Sequence, residues 1–303
     1  LTGWIYRTVR RITRFSGWVA TSVLGASEQM MEPAPRSHSR GRHQLLSVLN
    51  GVMGDHLAET GSPLVRSFSL RTPEGTQLDI DAPSTAASDP LVVFVHGLCL
   101  SDRVWTEKTA GRPAIVESIT EAVGGTPILA RYNTGRSIWT NGRALAEHLD
   151  RWVAASESPS RIVLVTHSMG GLVARSAVHQ ARRTAARWPD LVTETIYLGT
   201  PHRGAPLERA GAWVEAQLRR TPLTLPFASL ATLRSRGIQN LRHGTIAPNK
   251  NARDAPEGSS GRTLFVAGAL TSGQPTQDVI GDGLVPVSSA LNASDAPPRS
   301  TRR

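Results

Sequence analysis

The amino-acid sequence predicts an α/β domain built on a doubly wound, mostly parallel sheet. Short apolar runs rich in β-branched residues alternate with helical segments, which is the pattern of repeated strand–helix–strand units. The runs at 91–95 and 162–165 contain no alternating polar positions, as expected of central parallel strands covered on both faces. The second run leads through a glycine-rich turn at 166–171 straight into a helix. With 303 residues the chain is long enough for one large domain or for two small ones.

The turn at 166–171 is the centre of the predicted site. Ser168 stands between the apolar strand and the helix, and this order of strand, central serine and helix is the nucleophile-elbow pattern. Such a turn holds the serine in a strained backbone conformation with its hydroxyl above the sheet. Thr166 occupies the position of the usual first glycine of G-x-S-x-G, which loosens the motif. The alternative is a serine in an ordinary turn between a strand and a helix.

Residues 1–60 are predicted to form an N-terminal helical extension and linker. Apolar residues at spacings of three and four over 3–25, with arginines between them, indicate an amphipathic helix with a basic face. We expect this helix to pack on the domain or on a partner; peripheral contact with an anionic membrane is the alternative. The polar stretch 31–43, broken by Pro and Gly, is interpreted as a linker, and 44–60 repeats a helical period.

The α/β domain is predicted to span 61–290. A strand at 64–70, a turn at 72–75 and a strand at 77–80 form a hairpin by their spacing. The further elements follow in alternation: strands at 91–95, 127–131, 162–165, 193–198 and 263–267, and helices near 114–123, 141–155 and 172–187. Residues 205–256 lack strand alternation and are predicted to be a helical cap insertion. The Ala/Pro/Ser/Arg-rich end, 291–303, is interpreted as a disordered tail or a truncated end.

The composition limits the kinds of partner and the cellular location that the sequence predicts. The formal net charge is +10, but the only lysines are Lys108 and Lys250 and the arginines are scattered through all predicted elements, so no nucleic-acid partner is predicted. Cys99 is the single cysteine, which excludes an intrachain disulfide and a cysteine-based metal site. No apolar run approaches the ~18 residues of a membrane span and no signal peptide is visible, so a cytoplasmic or peripheral membrane location is favoured. The oligomeric state is not predicted.

A serine nucleophile needs hydrogen-bond donors for the oxyanion that it generates. The backbone N–H of Met169 lies at the start of the elbow helix, and the N–H of Leu98 follows His96 and Gly97 at the end of a central strand. These two groups are the predicted oxyanion hole. We expect His96 to brace its loop by hydrogen bonding, and Cys99 to pack in the loop rather than to act as a second nucleophile.

The predicted acid is Asp282, which lies between two glycines after the late strand. Asp278 competes with it but is followed directly by apolar residues, and a plain turn-forming role for Asp282 is the alternative. The order serine then aspartate along the chain agrees with the order of the elbow-bearing hydrolases.

The predicted site lacks a general base to activate Ser168. A histidine is expected after Asp282, but residues 283–303 contain none, and the last histidine is His243 in the predicted cap. His167 adjoins the nucleophile and points away from it at an elbow. His202 is a weak candidate, because its position after a strand favours a role in shaping the loop. The sequence therefore leaves the triad histidine unknown, and the interpretation is a chain that stops before the base.

These motifs resemble the α/β-hydrolase lipases and esterases, in particular the GPI inositol-deacylase-like group. The segments that carry the resemblance lie in family order over 91–286; they are Phe94–Leu98, Thr166–Gly171, Leu198–Gly204 and Gly281–Pro286. The resemblance implies the α/β-hydrolase fold, Ser168 as nucleophile, Asp282 as triad acid, and Leu98 with Met169 as the oxyanion hole. It also implies a histidine in a short segment after the acid, which has no counterpart here.

The predicted function is hydrolysis of carboxylic, including lipid, esters through an acyl-enzyme on Ser168. No cofactor and no metal ion is predicted. Because the triad histidine is missing, we expect this chain to hydrolyse a short p-nitrophenyl ester poorly or not at all. Two alternatives stay open: a catalytically inactive hydrolase-fold protein used for binding or as a scaffold, and an acyltransferase, in which an alcohol instead of water resolves the acyl-enzyme.

Overall fold

A computed structural model describes residues 36–82, 89–108, 113–155, 159–204, 235–248, 261–267 and 287–291 of the chain. These residues form a six-stranded sheet with the strand order β1-β3-β2-β4-β5-β6. The strands are β1 (Ser69–Arg71), β2 (Leu91–Val95), β3 (Thr126–Arg131), β4 (Ile162–His167), β5 (Val192–Leu198) and β6 (Arg262–Val266). Strand β1 is antiparallel to β3, and every other neighbouring pair is parallel.

Helices follow most of the strands. They are α1 (Arg36–Glu59), α2 (Ile115–Val123), α3 (Ile138–Ala155), α4 (Met169–Arg183), α5 (Arg236–His243) and the single turn α6 (Val287–Ala290). Two 3₁₀ helices, Asp102–Trp105 and Trp188–Leu191, lie between them. This alternation confirms the mostly parallel α/β fold with flanking helices that the sequence predicts.

The central strands are buried on both faces. All five residues of β2 and the first five of β4 are buried. One face, which carries Val92, Phe94 and Val163, forms a cluster with Trp105 and with Val116 of α2. Val93 and Leu164, on the opposite face by the two-residue period of a strand, are 0% and 1% exposed. Helices therefore cover both faces, which explains why these runs have no polar positions.

Several predicted boundaries differ from those of the structure. The predicted linker is wrong over 36–43, because α1 already begins at Arg36. The hairpin exists, but its strands are short: β1 covers Ser69–Arg71, and Arg71 makes a single antiparallel bridge to Gln77. The elbow helix ends at Arg183 instead of 187, and Thr184 forms its C-cap. Helix ends depend on capping contacts, which periodicity alone does not specify.

By its contacts the chain divides into two compact units, Leu1–His43 and Gln44–Arg303. Residues 44–59 of α1, predicted as part of the N-terminal extension, therefore lie in the same unit as the sheet. Val48, Leu49 and Val52 are almost fully buried there.

Several predicted segments fall outside the described residues: the amphipathic helix 3–25, most of the cap insertion (205–234 and 249–256) and the tail from 292. The described part of the segment predicted as a cap, 235–248, contains α5. Its Asn240 accepts a hydrogen bond from the N–H of Ile138, and the preceding Ser235 donates to the carbonyl of Gly51. No described helix has the length and apolar character needed to cross a membrane.

Candidate active site

Ser168 lies in the sharp turn between β4 and α4. Its backbone angles are φ 51° and ψ −124°, a conformation that residues with a side chain seldom adopt. The conformation costs about 1–3 kcal/mol and persists only where the surroundings hold it. The N–H of Ser168 donates to the carbonyl of Leu198 at 2.9 Å, and the carbonyl of Ser168 accepts from Gly171. The turn is thus held both by the neighbouring strand β5 and by the helix that follows.

Two glycines allow this turn to form. A Cβ added to Gly170 would lie 2.2 Å from the carbonyl oxygen of Val95, and one added to Gly171 would lie 2.1 Å from Oγ1 of Thr200. The start of α4 can therefore approach the ends of β2 and β5 only because these positions lack side chains. Thr166, in place of the first glycine of the motif, is fully buried, and its hydroxyl donates to the carbonyl of Ile196 at 3.0 Å. That hydrogen bond explains how the threonine is accommodated.

The hydroxyl of Ser168 is buried. Among the residues that the structure describes, Oγ makes no hydrogen bond, so no described histidine is hydrogen-bonded to it. A hydroxyl without a partner at a strained backbone position is a feature of functional sites rather than of structural turns.

The loop after β2 lies against the elbow. A Cβ built on Gly97 would be 3.1 Å from Cβ of Ser168 and 3.0 Å from Nδ1 of His167, so only glycine allows this approach. The next residue, Leu98, and the first residue of α4, Met169, are both fully buried. Neither of their backbone N–H groups donates a hydrogen bond within the described part of the chain. The structure therefore brings the two expected donors to the neighbourhood of Ser168.

The orientation of the Gly97–Leu98 peptide is fixed through its carbonyl group. The Gly97 oxygen accepts hydrogen bonds from the N–H of Leu100 at 3.3 Å and from Nδ1 of His96 at 3.0 Å. Because the C=O and N–H of a trans peptide point in opposite directions, these bonds also set the direction of the Leu98 N–H. A flip of this peptide would break both of them.

His96 is a bracing residue. It is fully buried, and its ring stacks on Tyr132 with 4.3 Å between the centroids. A carbonyl only accepts, so Nδ1 carries the proton in the hydrogen bond to Gly97. Burial lowers the pKa of His96 to about 4, although the bond to Gly97 opposes the shift. The ring is therefore neutral at ordinary pH and serves as a donor.

The ring of His202 interacts with residues other than Ser168. Its Nδ1 lies 3.2 Å from the guanidinium of Arg175, and its ring makes edge contacts with Tyr197 and Phe265. Burial, together with the positive charge of Arg175, lowers the pKa of His202 to about 3. A group with this pKa is a poor general base near neutral pH. These contacts favour a role in shaping the loop.

The two other histidines considered as bases, His243 and His167, make no hydrogen bond to Ser168. His243 is exposed at the last turn of α5. His167 places its ring edge-on to Trp105, with centroids 6.4 Å apart.

Asp282 and its competitor Asp278 lie outside the described residues. Cys99 is buried, and burial raises the pKa of its thiol to about 12, which keeps it in the unreactive protonated form.

A buried ion pair that the sequence motifs do not predict lies beside the loop. Arg131, at the end of β3, donates from Nε and Nη2 to the two carboxylate oxygens of Asp102, at 2.6 and 2.8 Å. Burial alone would raise the pKa of Asp102, but the hydrogen bonds and charge of Arg131 hold it below its usual value. The pair connects the 3₁₀ helix after the loop to the neighbouring strand. The available signal was weak: Arg131 is the last residue of β3, and Asp102 follows the carboxyl end of the adjacent strand β2.

Residues 138–247, which include the elbow, match the model of the PGAP1-like alpha/beta domain family. This match confirms the resemblance that the motifs predict, and with the strand order it shows an α/β-hydrolase fold. No curated protein gave a significant match to the sequence.

Among solved structures, the mature form of Bacillus licheniformis lipase BlEst2 is 21% identical, with 68% of this chain and 74% of that chain covered and a TM-score of 0.40. Phospholipase PlaB from Legionella pneumophila is 14% identical (66% and 44% covered, TM-score 0.39). Aspergillus fumigatus lipase B is 15% identical (46% and 29% covered, TM-score 0.32). With TM-scores this low, these likenesses add nothing to the fold derived from the strand order.

Proposed function

Given a chain with the α/β-hydrolase fold, we propose that it is a serine hydrolase of carboxylic esters in which Ser168 is the nucleophile. One observation carries the proposal: Ser168 has the strained φ of 51° between β4 and α4, with a buried hydroxyl that has no hydrogen-bond partner in the described ranges. A structural serine in an ordinary turn would need neither the strain nor the close approach of Gly97.

In the proposed reaction Oγ of Ser168 attacks the ester carbonyl carbon, and its proton passes to a histidine base. The negative charge on the former carbonyl oxygen is stabilised by the N–H groups of Leu98 and Met169 and by the N-terminal end of α4. The alcohol leaves with the proton, and water then hydrolyses the acyl-enzyme. Asp282 is proposed as the carboxylate that orients the base. Neither His202 nor His243 is assigned as that base, because of the contacts and the exposure described above.

A fluorophosphonate probe tests the nucleophile directly, since it reacts with an activated serine. We expect the probe to label the chain at Ser168, as located by peptide mass spectrometry, and not to label Ser168→Ala. We also expect added imidazole to increase the labelling rate in a saturable manner, because it supplies the base that no described residue provides. Thr166→Ser is the matched control, since it changes a neighbouring hydroxyl residue and keeps the hydrogen bond to Ile196.

The possible results separate the alternatives. If a folded chain, verified by circular dichroism, is not labelled with or without imidazole, the hydrolase proposal is wrong and a binding protein is the better interpretation. Labelling at full rate without imidazole would show that the base is present in the chain. If p-nitrophenyl butyrate is turned over, the product mixture formed with an added alcohol distinguishes hydrolysis from acyl transfer.

A further inference from the structure

Helix α1 contacts the loop that carries the proposed oxyanion donor. A Cβ built on Gly51 would lie 2.2 Å from Sγ of Cys99 and 3.1 Å from its Cα, so the backbone of the helix rests directly on Cys99. Cys99 directly follows Leu98 in the chain. The helix lies outside the motifs that carry the family resemblance, and the mechanism above gives it no role.

A second contact connects α1 to the loop after β3. Nδ2 of Asn133 donates to the carbonyl of Gly54 at 2.8 Å, and Cβ atoms added to Gly54 or Gly135 would overlap the facing segment. In the case of Gly135 the overlap is with the backbone oxygen of Asn50, at 2.3 Å. The helix and the loop of 133–135 are therefore in backbone-to-backbone contact.

That loop holds Cys99 in turn. The N–H of Cys99 donates to Oγ1 of Thr134 at 3.1 Å, and both residues are buried. Cys99 has φ 55°, in the left-handed region that a residue with a side chain adopts only under constraint. Its N–H belongs to the peptide that follows Leu98. The hydrogen bond to Thr134 therefore fixes the Leu98–Cys99 peptide, on the other side of Leu98 from the N–H that is the proposed oxyanion donor.

We propose that Gly51 and Thr134 are positioning residues for the oxyanion hole, acting through Cys99. This inference rests on the proposed function. Gly51 sets how closely α1 approaches the loop, and Thr134 sets the orientation of the Leu98–Cys99 peptide. Together they keep the Leu98 N–H in place from the side opposite to the hydrogen bonds on Gly97.

The chain contains its own reporter of this contact. Cys99 is the single cysteine and its thiol is buried, so its reaction rate with a maleimide in the native protein measures how often the contact opens. The rate of Ser168 labelling by the fluorophosphonate, with imidazole present throughout, measures the oxyanion hole. A residue with a merely structural role would change the first rate and leave the second unchanged.

The decisive variants are Thr134→Val and Thr134→Ser. Valine keeps the shape but leaves the buried N–H of Cys99 without an acceptor, so we expect maleimide labelling to become about tenfold faster. We expect the maximal rate of Ser168 labelling to fall about tenfold or more, with an unchanged half-saturating probe concentration. Serine keeps the acceptor and is expected to restore both rates.

Gly51→Ala tests the helix side of the contact, with Gly124→Ala as the matched control. The first substitution drives a methyl group into Cys99. The second strains a left-handed glycine that has open space around it. We expect only Gly51→Ala to change both rates.

The inference is wrong if Thr134→Val and Gly51→Ala leave Ser168 labelling unchanged, whatever happens to Cys99. It is also wrong if Thr134→Ser fails to restore the rates in a folded protein. If the unsubstituted chain is not labelled at Ser168, the proposed function fails and the inference fails with it. Labelling of the unsubstituted chain at Ser168 distinguishes the two failures: the inference alone fails if that chain is labelled and the variants are labelled at the same rate.

Discussion

Replacement of Asp102 by asparagine tests the buried ion pair beside the proposed site. The side chains of Asp102 and Arg131 are 2% and 15% exposed, and two short hydrogen bonds join them. Burial and the charge of Arg131 lower the pKa of the nearby Arg66 to about 10. Without the carboxylate, Arg131 would be left as an uncompensated buried cation. Breaking such a pair costs about 3–5 kcal/mol of stability.

The assay is urea unfolding at pH 7, with Asp102→Asn compared to the unsubstituted chain. Glu147→Gln is the control, because Glu147 pairs with Arg143 at 3.7 Å on the surface, with side chains 63% and 62% exposed. The control should lose no more than about 0.5 kcal/mol. A loss for Asp102→Asn that is no larger than the control's would refute the reasoning.

The same pair predicts a pH dependence. The pKa of Asp102 is lowered in the folded protein from its ordinary value of 3.8. Its contribution to stability is therefore fully present above that value and is lost as the pH falls through the lower folded pKa. The difference in unfolding free energy between Asp102→Asn and the unsubstituted chain should narrow below about pH 4.

Two further predictions concern the elbow and its brace. Gly170→Ala should lower the melting temperature by roughly 5–10 °C in calorimetry, because the methyl group meets the backbone oxygen of Val95; an unchanged melting temperature would contradict the proposed close approach. Burial lowers the pKa of His96 from 6.5 to about 4, so the folded protein binds the imidazole proton less readily than the unfolded chain. The free energy of unfolding should therefore fall by on the order of 3 kcal/mol as the pH falls from 6.5 to about 4. His96→Asn keeps a donor and does not titrate, so its stability should change less steeply over this range, and parallel curves would argue against the assignment.

The elements that sequence reasoning predicted well are those determined by neighbouring residues. Strand β2 was recognised from five consecutive apolar residues, and the structure shows all five buried. The turn at Ser168 was recognised because two glycines follow a strand and a serine, and the same glycines allow the close approach to Val95 and Thr200. In both cases a local steric rule determines the structure.

The boundary of the domain was harder to predict. The periodicity of 44–60 indicates a helix but not what it packs against, so α1 was assigned to an extension. The structure puts Gly51 of this helix against Cys99. An amphipathic pattern has the same form whether the apolar face meets its own sheet or a partner.

The sequence by itself determined the mostly parallel sheet, the position of Ser168 at a turn between strand and helix, and the glycines that the turn requires. Only the tertiary structure decided which charged and polar groups meet: Asp102 with Arg131, 29 residues apart, and Arg175 with His202, 27 residues apart. The reason is physical. Backbone sterics and hydrophobic periodicity act between neighbours along the chain, whereas a pKa or an ion pair depends on which groups the folded sheet brings within a few ångströms of each other.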